Sequence, residues 1–324
     1  MPEFRADLLG GLHAALPDGA DLAARLTPDC DWQVSRPVPA ARGPGEVAEH
    51  WISPLRAALA GLHRRDALFI GGANRRGAGR WCAALCHYVG NHVAPLWGVP
   101  ASGRLAMLRA GEFYGLTEEG RIHTARIIVD LPDLVLQGGR NPFGRSLGTE
   151  LTFPPPATLD GVLPGLAGGA GSLDTVERML GDLHAFDPET VASAGQVGEG
   201  GTWADDMLWW GPAGIGSNHR WEGFVKDHRA PFLRAFPDRK GGDHYCRIGD
   251  GAYAAVSGWP SMTMTWQADY LGHGPADGRP LTLRVMDFYR LHARGPQVGR
   301  IAENWVMLDY VDLFAQMGRD LLAK

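Results

Sequence analysis

The sequence predicts an α+β protein built as two tandem copies of one domain. Each copy reads as a cone-shaped barrel, a curved and mostly antiparallel sheet wrapped around a few helices. The first observation behind this is an internal repeat. Leu134-Val-Leu-Gln137-Gly-Gly139-Arg140 returns at the end of the chain as Leu313-Phe-Ala-Gln316-Met-Gly318-Arg319. Upstream, Glu112-Phe113-Tyr114 answers Asp287-Phe288-Tyr289, Gly120-Arg121-Ile122 answers Gly299-Arg300-Ile301, and Asp130 answers Asp309. Earlier still, Ala83-Ala84-Leu85 matches Ala254-Ala255-Val256, Pro54-Leu55 matches Pro231-Phe232, and Trp32 matches Trp209. A period of half the chain is too long for a solenoid repeat and implies two compact copies. The second observation is the order of elements within a copy, helices first and then an antiparallel meander, which is an α+β pattern. Length agrees, since 324 residues suit two domains of ordinary size.

The elements follow in order. Residues 1–147 form the first copy and 172–324 the second. The stretch 148–171 between them, with Phe153-Pro-Pro-Pro156 and Gly168-Gly-Ala-Gly171, has the composition of a linker. Ser172 opens a helix with Glu177 and Arg178 on its polar side and Val176, Met179, Leu180 and Leu183 on its apolar side. In the second copy helices are expected over about 172–184 and 219–236. Strands follow over about 243–249, 252–266, 281–291 and 299–310, with a closing helix near 312–322. Asp250-Gly251 is a tight-turn pair, and 272–280 can only be a loop.

Composition excludes several classes. A net charge of -5 and a pI near 6.2 argue against nucleic acid as partner. Arg64, Arg65, Arg75, Arg76 and Arg80 make one local basic cluster, read as a solvated edge. The amino terminus lacks an apolar signal-peptide core and no run is long enough to span a membrane, so a cytoplasmic protein is expected. Four cysteines suggest no disulfide framework. Cys82, Cys86, His87 and His92 lack the usual zinc spacing, and Gly71–Gly79 lacks the Gly-Lys-Ser/Thr ending of a phosphate loop. No metal and no cofactor is expected.

Chemistry is sought where acids stand among apolar neighbours. By alternation, Leu283, Val285, Asp287 and Tyr289 share one face of a strand, and Ile301, Glu303, Trp305, Met307 and Asp309 share one face of the next. A buried carboxylate must pair with a base or hold its proton. A carboxylate lifted toward neutrality suits proton abstraction beside a carbonyl. The competing readings are that these strands face solvent on that side, or that Arg284 or Arg300 neutralises an acid structurally. The repeat serves as an internal control. Asp309 is shared with Asp130 and reads as a helix cap. Glu303 is replaced by Thr124 and Trp305 by Arg126 in the other copy, so Glu303 is expected in the pocket of the second copy. Seven of the eleven tryptophans fall in that copy. Trp203 and Trp266 read as core, whereas Trp210 and Trp259 precede Gly211-Pro212 and Pro260, where strands end and a mouth could open. His228 falls in line with apolar helix positions, as a core or pocket-wall histidine.

The run Gly299-Arg300-Ile301-Ala302-Glu303-Asn304-Trp305-Val306-Met307-Leu308-Asp309, with Val285-Met286-Asp287-Phe288-Tyr289-Arg290 before it, resembles the end of a SnoaL-like polyketide cyclase domain of the nuclear transport factor 2-like superfamily. Trp210-Gly211-Pro212, Phe224 and Phe236-Pro237-Asp238 carry the same resemblance. It implies cofactor-independent lyase or isomerase chemistry on a small apolar carbonyl compound, with Glu303 as acid/base and Asp287 beside it. Trp210, His228, Trp259, Tyr289, Trp305 and Asp309 are expected to bind substrate. A binding protein without chemistry and a hydrolase using carboxylate-activated water are the alternatives. The expected partner is a small molecule, with the two copies packed as an internal pseudo-dimer, the first mainly structural, and a further homodimer left open.

Overall fold

The computed structural model describes residues 3–18, 20–149, 153–165, 168–187, 189–190, 192–193 and 195–323. Its two halves carry the same six-stranded sheet. In the first, β1 (Leu26–Val34), β2 (Ala41–Arg42), β3 (Leu59–Ala73), β4 (Arg80–His92), β5 (Leu105–Leu116) and β6 (Ile122–Val129) run in the order β2-β1-β6-β5-β4-β3. In the second, β7 (Trp203–Trp210), β8 (Ser217–His219), β9 (Cys246–Asp250), β10 (Tyr253–Thr265), β11 (Pro280–Leu291) and β12 (Ile301–Leu308) run β8-β7-β12-β11-β10-β9. Pairing is antiparallel except for β1 with β6 and β7 with β12, which are parallel. The expected pair of α+β barrels is therefore what the chain forms.

The helices match in the same way. The first half has α1 (Glu3–Asp18), α2 (Ala20–Arg25), α3 (Gly43–Val47), α4 (Ser53–Ala58) and α5 (Leu131–Gln137). The second has α6 (Gly169–His184), α7 (Arg220–Phe224), α8 (Ala230–Ala235) and α9 (Tyr310–Gln316). Helix α6 buries Leu173, Val176, Met179 and Leu180 along one stripe. A π-helical turn joins α3 to α4 (Ala48–Ile52) and another joins α7 to α8 (Val225–Arg229). Each precedes a segment with proline at its start, Pro54 and Pro231, and a proline that can neither donate nor sit close to the preceding turn favours such a widened turn. Asp130 and Asp309 cap the closing helices, accepting from the backbone N–H of Asp133 and Asp312 at 3.1 Å each.

The two sheets pack with their outer faces against each other. Phe113 meets Phe288 at 5.6 Å between ring centroids, and Tyr245 meets Trp81 at 5.4 Å. Met286, Trp305 and Met307 fill the same buried layer. Contact is so close that a Cβ on Gly111 would lie 2.9 Å from Met307. Polar bonds edge the layer: Trp259 donates to Gln33 at 2.9 Å, Ala213 donates to Asp130 at 2.9 Å, and Arg5 pairs with Asp250.

Several expectations are corrected here. The segment Ala83-Ala84-Leu85 matches Ala255-Val256-Ser257, one residue later than the sequence suggests, because Ala83 pairs with Phe113 and Ala255 with Phe288. Arg64 is not solvated: it is buried against Glu112 at 2.6 Å. Helix α6 starts three residues before Ser172, whose hydroxyl donates instead to the Gly251 carbonyl at 2.7 Å. The closing helix ends at Gln316, short of the expected 322. Of the expected linker, residues 150–152 and 166–167 lie outside the described residues.

Glu303 is the largest correction. Arg290 stands opposite it in the β11–β12 ladder and pairs with it, and the Ala157 N–H donates to its carboxylate at 3.2 Å. It sits on the face that meets the connecting stretch, 2 % exposed, away from the barrel interior. Removing one partner of a buried ion pair strands the other. Glu303→Ala is therefore expected to cost about 3–5 kcal/mol in urea unfolding, while ligand binding by the folded fraction is retained. The same measurement on Gly111→Leu should show a loss of stability from overpacking between the sheets.

Candidate active site

The concave face of the second sheet, with α6, α7 and α8, borders a cleft whose empty space, open solvent at its mouth included, is about 750 Å³. Its wall is largely apolar, with Trp203, Trp209, Phe224 and Phe232 on one side and Val285, Val306 and Leu308 from the sheet on the other. A few polar groups converge on it, the arrangement expected of a small-molecule site. They include Asp287 and Tyr289 of β11, Asn304 of β12, His228 of the π-turn and Ser261 of β10, with His184, Arg229, Arg239 and His244 beside them.

Asp287 stands out chemically. In the β11–β12 ladder it lies opposite Val306, and Tyr289 lies opposite Asn304, so these side chains share the inner face. Burial pushes the Asp287 carboxyl up to about 7; hydrogen bonds from Asn304, at 3.5 Å, and from the Tyr289 phenol pull weakly the other way. The accessible surface it keeps opens onto the cavity. His228 lies flat against Trp209, 4.4 Å between centroids and 15° between planes. Burial first, then the charges of Arg239 and Arg229, depress its pKa to about 3, so the imidazole is neutral. Its Nδ1 has no hydrogen-bond partner among the described residues. Burial also holds the Tyr289 phenol well above its usual range, protonated and able to donate.

The first half shows what closes such a cavity. Glu112 holds the place of Asp287 but is neutralised. Arg64 pairs with it at 2.6 Å, and Tyr88 and Tyr114 donate to it at 2.6 Å and 2.7 Å. Tyr88 lies opposite Leu108, and the matching partner of Leu283 is Met262, so the second half has a thioether where the first has that phenol. Trp51 holds the place of His228 in the other π-turn and stacks on Trp97 at 5.2 Å. Bulk and a buried salt bridge stand in one barrel; in the other stand smaller groups and an acid that no cation pairs with among the described residues.

Of the residues expected from the sequence, Asp287, Tyr289 and His228 come together in the cavity. Glu303, Trp305, Trp210, Trp259 and Asp309 do not line it. Trp305 donates to the Pro154 carbonyl at 3.2 Å in the layer between the halves, and Trp210 packs beside it. Trp259 lies at the seam with Gln33 and under the guanidinium of Arg284, 4.6 Å from its ring centroid. Asp309 caps α9 and pairs with Arg284 at 2.9 Å. Trp203, read as core, is fully buried and also forms cavity wall. Sequence reasoning missed Asn304, although its counterpart Ala125 differs as sharply as Thr124 does from Glu303. It also missed Arg229, Arg239, His184 and His244 at the rim, where no strand period marks them. The described residues contain no group of three or more His, Cys, Asp or Glu placed to hold a metal ion, and no helix is long and apolar enough to cross a membrane.

No protein-family model and no curated protein matches the sequence. Among solved structures the chain is similar to IdmH from Streptomyces antibioticus, proposed to be a polyketide cyclase, with 22% identity over 45% of this chain and 98% of that one, TM-score 0.35. It is also similar to TsrD from Streptomyces laurentii, 21% identical over 42% of this chain and 96% of that one, TM-score 0.36. An NTF2-like protein from Burkholderia thailandensis is 16% identical over 42% and 97%, TM-score 0.32. Each of these spans close to one repeat of the present chain, and the likeness is one of fold.

Two outcomes follow from the geometry. A carboxyl whose pKa rises from 3.8 to about 7 on folding holds its proton more tightly in the folded chain. It therefore weighs against the fold increasingly as pH climbs from about 4 to about 7. Asp287→Asn should be more stable than the parent at pH 8, by on the order of 1–3 kcal/mol, and equal to it near pH 4, in thermal unfolding at both values. His228→Trp, which installs the first half's residue, should fill the cavity and abolish binding of aromatic probes with the melting temperature maintained.

Proposed function

We propose that the second half is a cofactor-independent acid–base catalyst of the lyase or isomerase type, acting on a small, largely apolar carbonyl compound, and that the first half is its folded support. The observation that carries this is Asp287, an unpaired carboxyl held near neutrality inside an aromatic-lined cavity, where the other copy neutralises the same position with Arg64. A general base works best with a pKa near the working pH, and perturbed acids in clefts mark functional sites.

In this reading the Asp287 carboxylate removes a proton from the carbon next to the substrate carbonyl. The electron pair moves onto the carbonyl oxygen. Neutral His228, flat on Trp209 and with a nitrogen still unbonded, donates a hydrogen bond to that developing enolate oxygen. Tyr289 and Asn304 hold the carboxylate in place. Where a carbon–carbon double bond is conjugated with that enolate, Asp287, now a carboxylic acid, returns the proton to the far carbon of the dienolate and the double bond shifts, completing an isomerisation. When the enolate instead attacks a second carbonyl of the same molecule, a carbon–carbon bond forms and the new alkoxide takes the proton. The dry wall keeps water from quenching the enolate. Expected cytoplasmic placement and small-molecule partnership fit this reading, as the aromatic wall fits a ligand carrier that does no chemistry.

Deuterium uptake separates the two. In D₂O, with 2-tetralone as probe and binding followed by tryptophan quenching, the parent should speed exchange of the protons beside the carbonyl. The rate per enzyme should rise with pH through about 7, as the base ionises. Asp287→Asn should bind the probe equally and exchange roughly 10²–10⁴-fold more slowly. Exchange no faster than buffer with the probe bound would make the site a carrier.

A further inference from the structure

Two arginines converge at the rim of the second cavity, and an apolar carbonyl compound alone offers Arg239 no charge to meet. Arg229 closes the π-turn, and Arg239 follows α8 in the loop toward β9. Both guanidinium groups stand over the Phe186 ring, 5.5 Å and 5.3 Å from its centroid, and both donate to the Leu183 carbonyl, at 3.4 Å and 3.3 Å. Leu183 lies in the last turn of α6, whose carbonyl end favours cations. That helix end explains how two like charges sit side by side; Arg229 is held further by the Ser193 hydroxyl, which leaves Arg239 as the arginine placed to meet a ligand.

The charge on the lining is one-sided. Arg229 and Arg239 are joined by His184 and His244, and among the described residues the sole acid on the cavity wall is Asp287. Neither arginine figures among the groups that act on Asp287, whereas both act on His228 and His184. The cationic rim therefore acts on His228. Among the described residues no carboxylate forms a salt bridge with Arg239; its neighbour Asp238 is bound to Thr265 at 2.9 Å instead. A second observation points to a ligand. Ser261, 1 % exposed on the same wall, keeps a buried hydroxyl without a hydrogen-bond partner among the described residues. Gly241 and Gly242 keep the rim open beside them: a Cβ on Gly242 would lie 2.8 Å from the His184 ring.

We propose that this rim is an anion subsite, and that the ligand of the cavity is an apolar carbonyl compound carrying one carboxylate, held by Arg239 with the charge of Arg229 beside it while its carbonyl end reaches Asp287. The inference rests on the reading of the cavity as the ligand site. It fixes the orientation of the ligand: acid at the rim, reacting carbon at the sheet. Planar guanidinium groups hold a carboxylate through paired, charge-assisted bonds, which gives direction as well as attraction.

Titration of tryptophan fluorescence with 2-naphthylacetate and with its methyl ester tests this. The parent should bind the acid roughly 10-fold or more tightly than the ester, with the preference shrinking as salt is raised. Arg239→Met should lower the acid's affinity to near the ester's and leave the ester unchanged. Arg239→Lys, a fallback should the methionine variant fold poorly, should retain part of the preference. Equal affinity of acid and ester in the parent, or a preference that survives Arg239→Met, overturns the anion subsite while leaving the cavity reading intact. Failure of both compounds to bind overturns both.

Discussion

The structure depends on one constraint: the two sheets share a single buried layer between their outer faces. Phe113, Phe288, Met286, Met307 and Trp305 fill it, and Gly111 lets the backbones approach. Because that layer covers the outside of β12, every residue of the strand is buried. The strand's two faces then have different tasks. Glu303, Trp305 and Met307 hold the halves and the connecting stretch together, and Asn304, Val306 and Leu308 shape a cavity. Neither half could leave this arrangement without exposing a large apolar surface, which is the dominant penalty in such a fold.

Duplication of that unit allowed its copies to diverge inside. In the first barrel the inner acid, Glu112, is bonded by Arg64, Tyr88 and Tyr114, and Trp51 stacks on Trp97 nearby. Such a network is satisfied and leaves no acid to react. In the second barrel Asp287 is one methylene shorter, Met262 stands in the register of Tyr88, and His228 stands in that of Trp51. The result is space, and a carboxyl that burial rather than a cation governs. The stability given up at Asp287 is the kind that sites of chemistry commonly carry.

The fold was largely legible because duplication printed it twice. Asp130 and Asp309, Trp32 and Trp209, and Pro54 and Pro231 hold matching positions in both halves. The site was legible in part. Asp287, Tyr289 and His228 stand where apolar context places them, but Glu303 was put on the wrong side of its strand. Alternation assigns a strand's residues to two faces without saying which face is inner, and a strand buried on both faces gives no polar edge to decide. The pairing partner decides: Asp287 lies opposite Val306, so even-numbered residues of β12 face inward. The one-residue slip near Ala83 has a simpler origin: residue identity aligns Ala83-Ala84 with Ala254-Ala255, whereas the ladder partners Phe113 and Phe288 align Ala83 with Ala255. Arg229 and Arg239 escaped notice because a π-turn and a loop have no period to read.

The central claim is that burial in the second barrel holds the Asp287 carboxyl near neutrality. Its most direct test is a carbon-13 NMR titration of the side-chain carboxyl carbons, with Asp287 assigned by its loss in Asp287→Asn. A midpoint within about one unit of 7 is the predicted result. A midpoint near 4, the value of an ordinary solvated aspartate, would contradict the account.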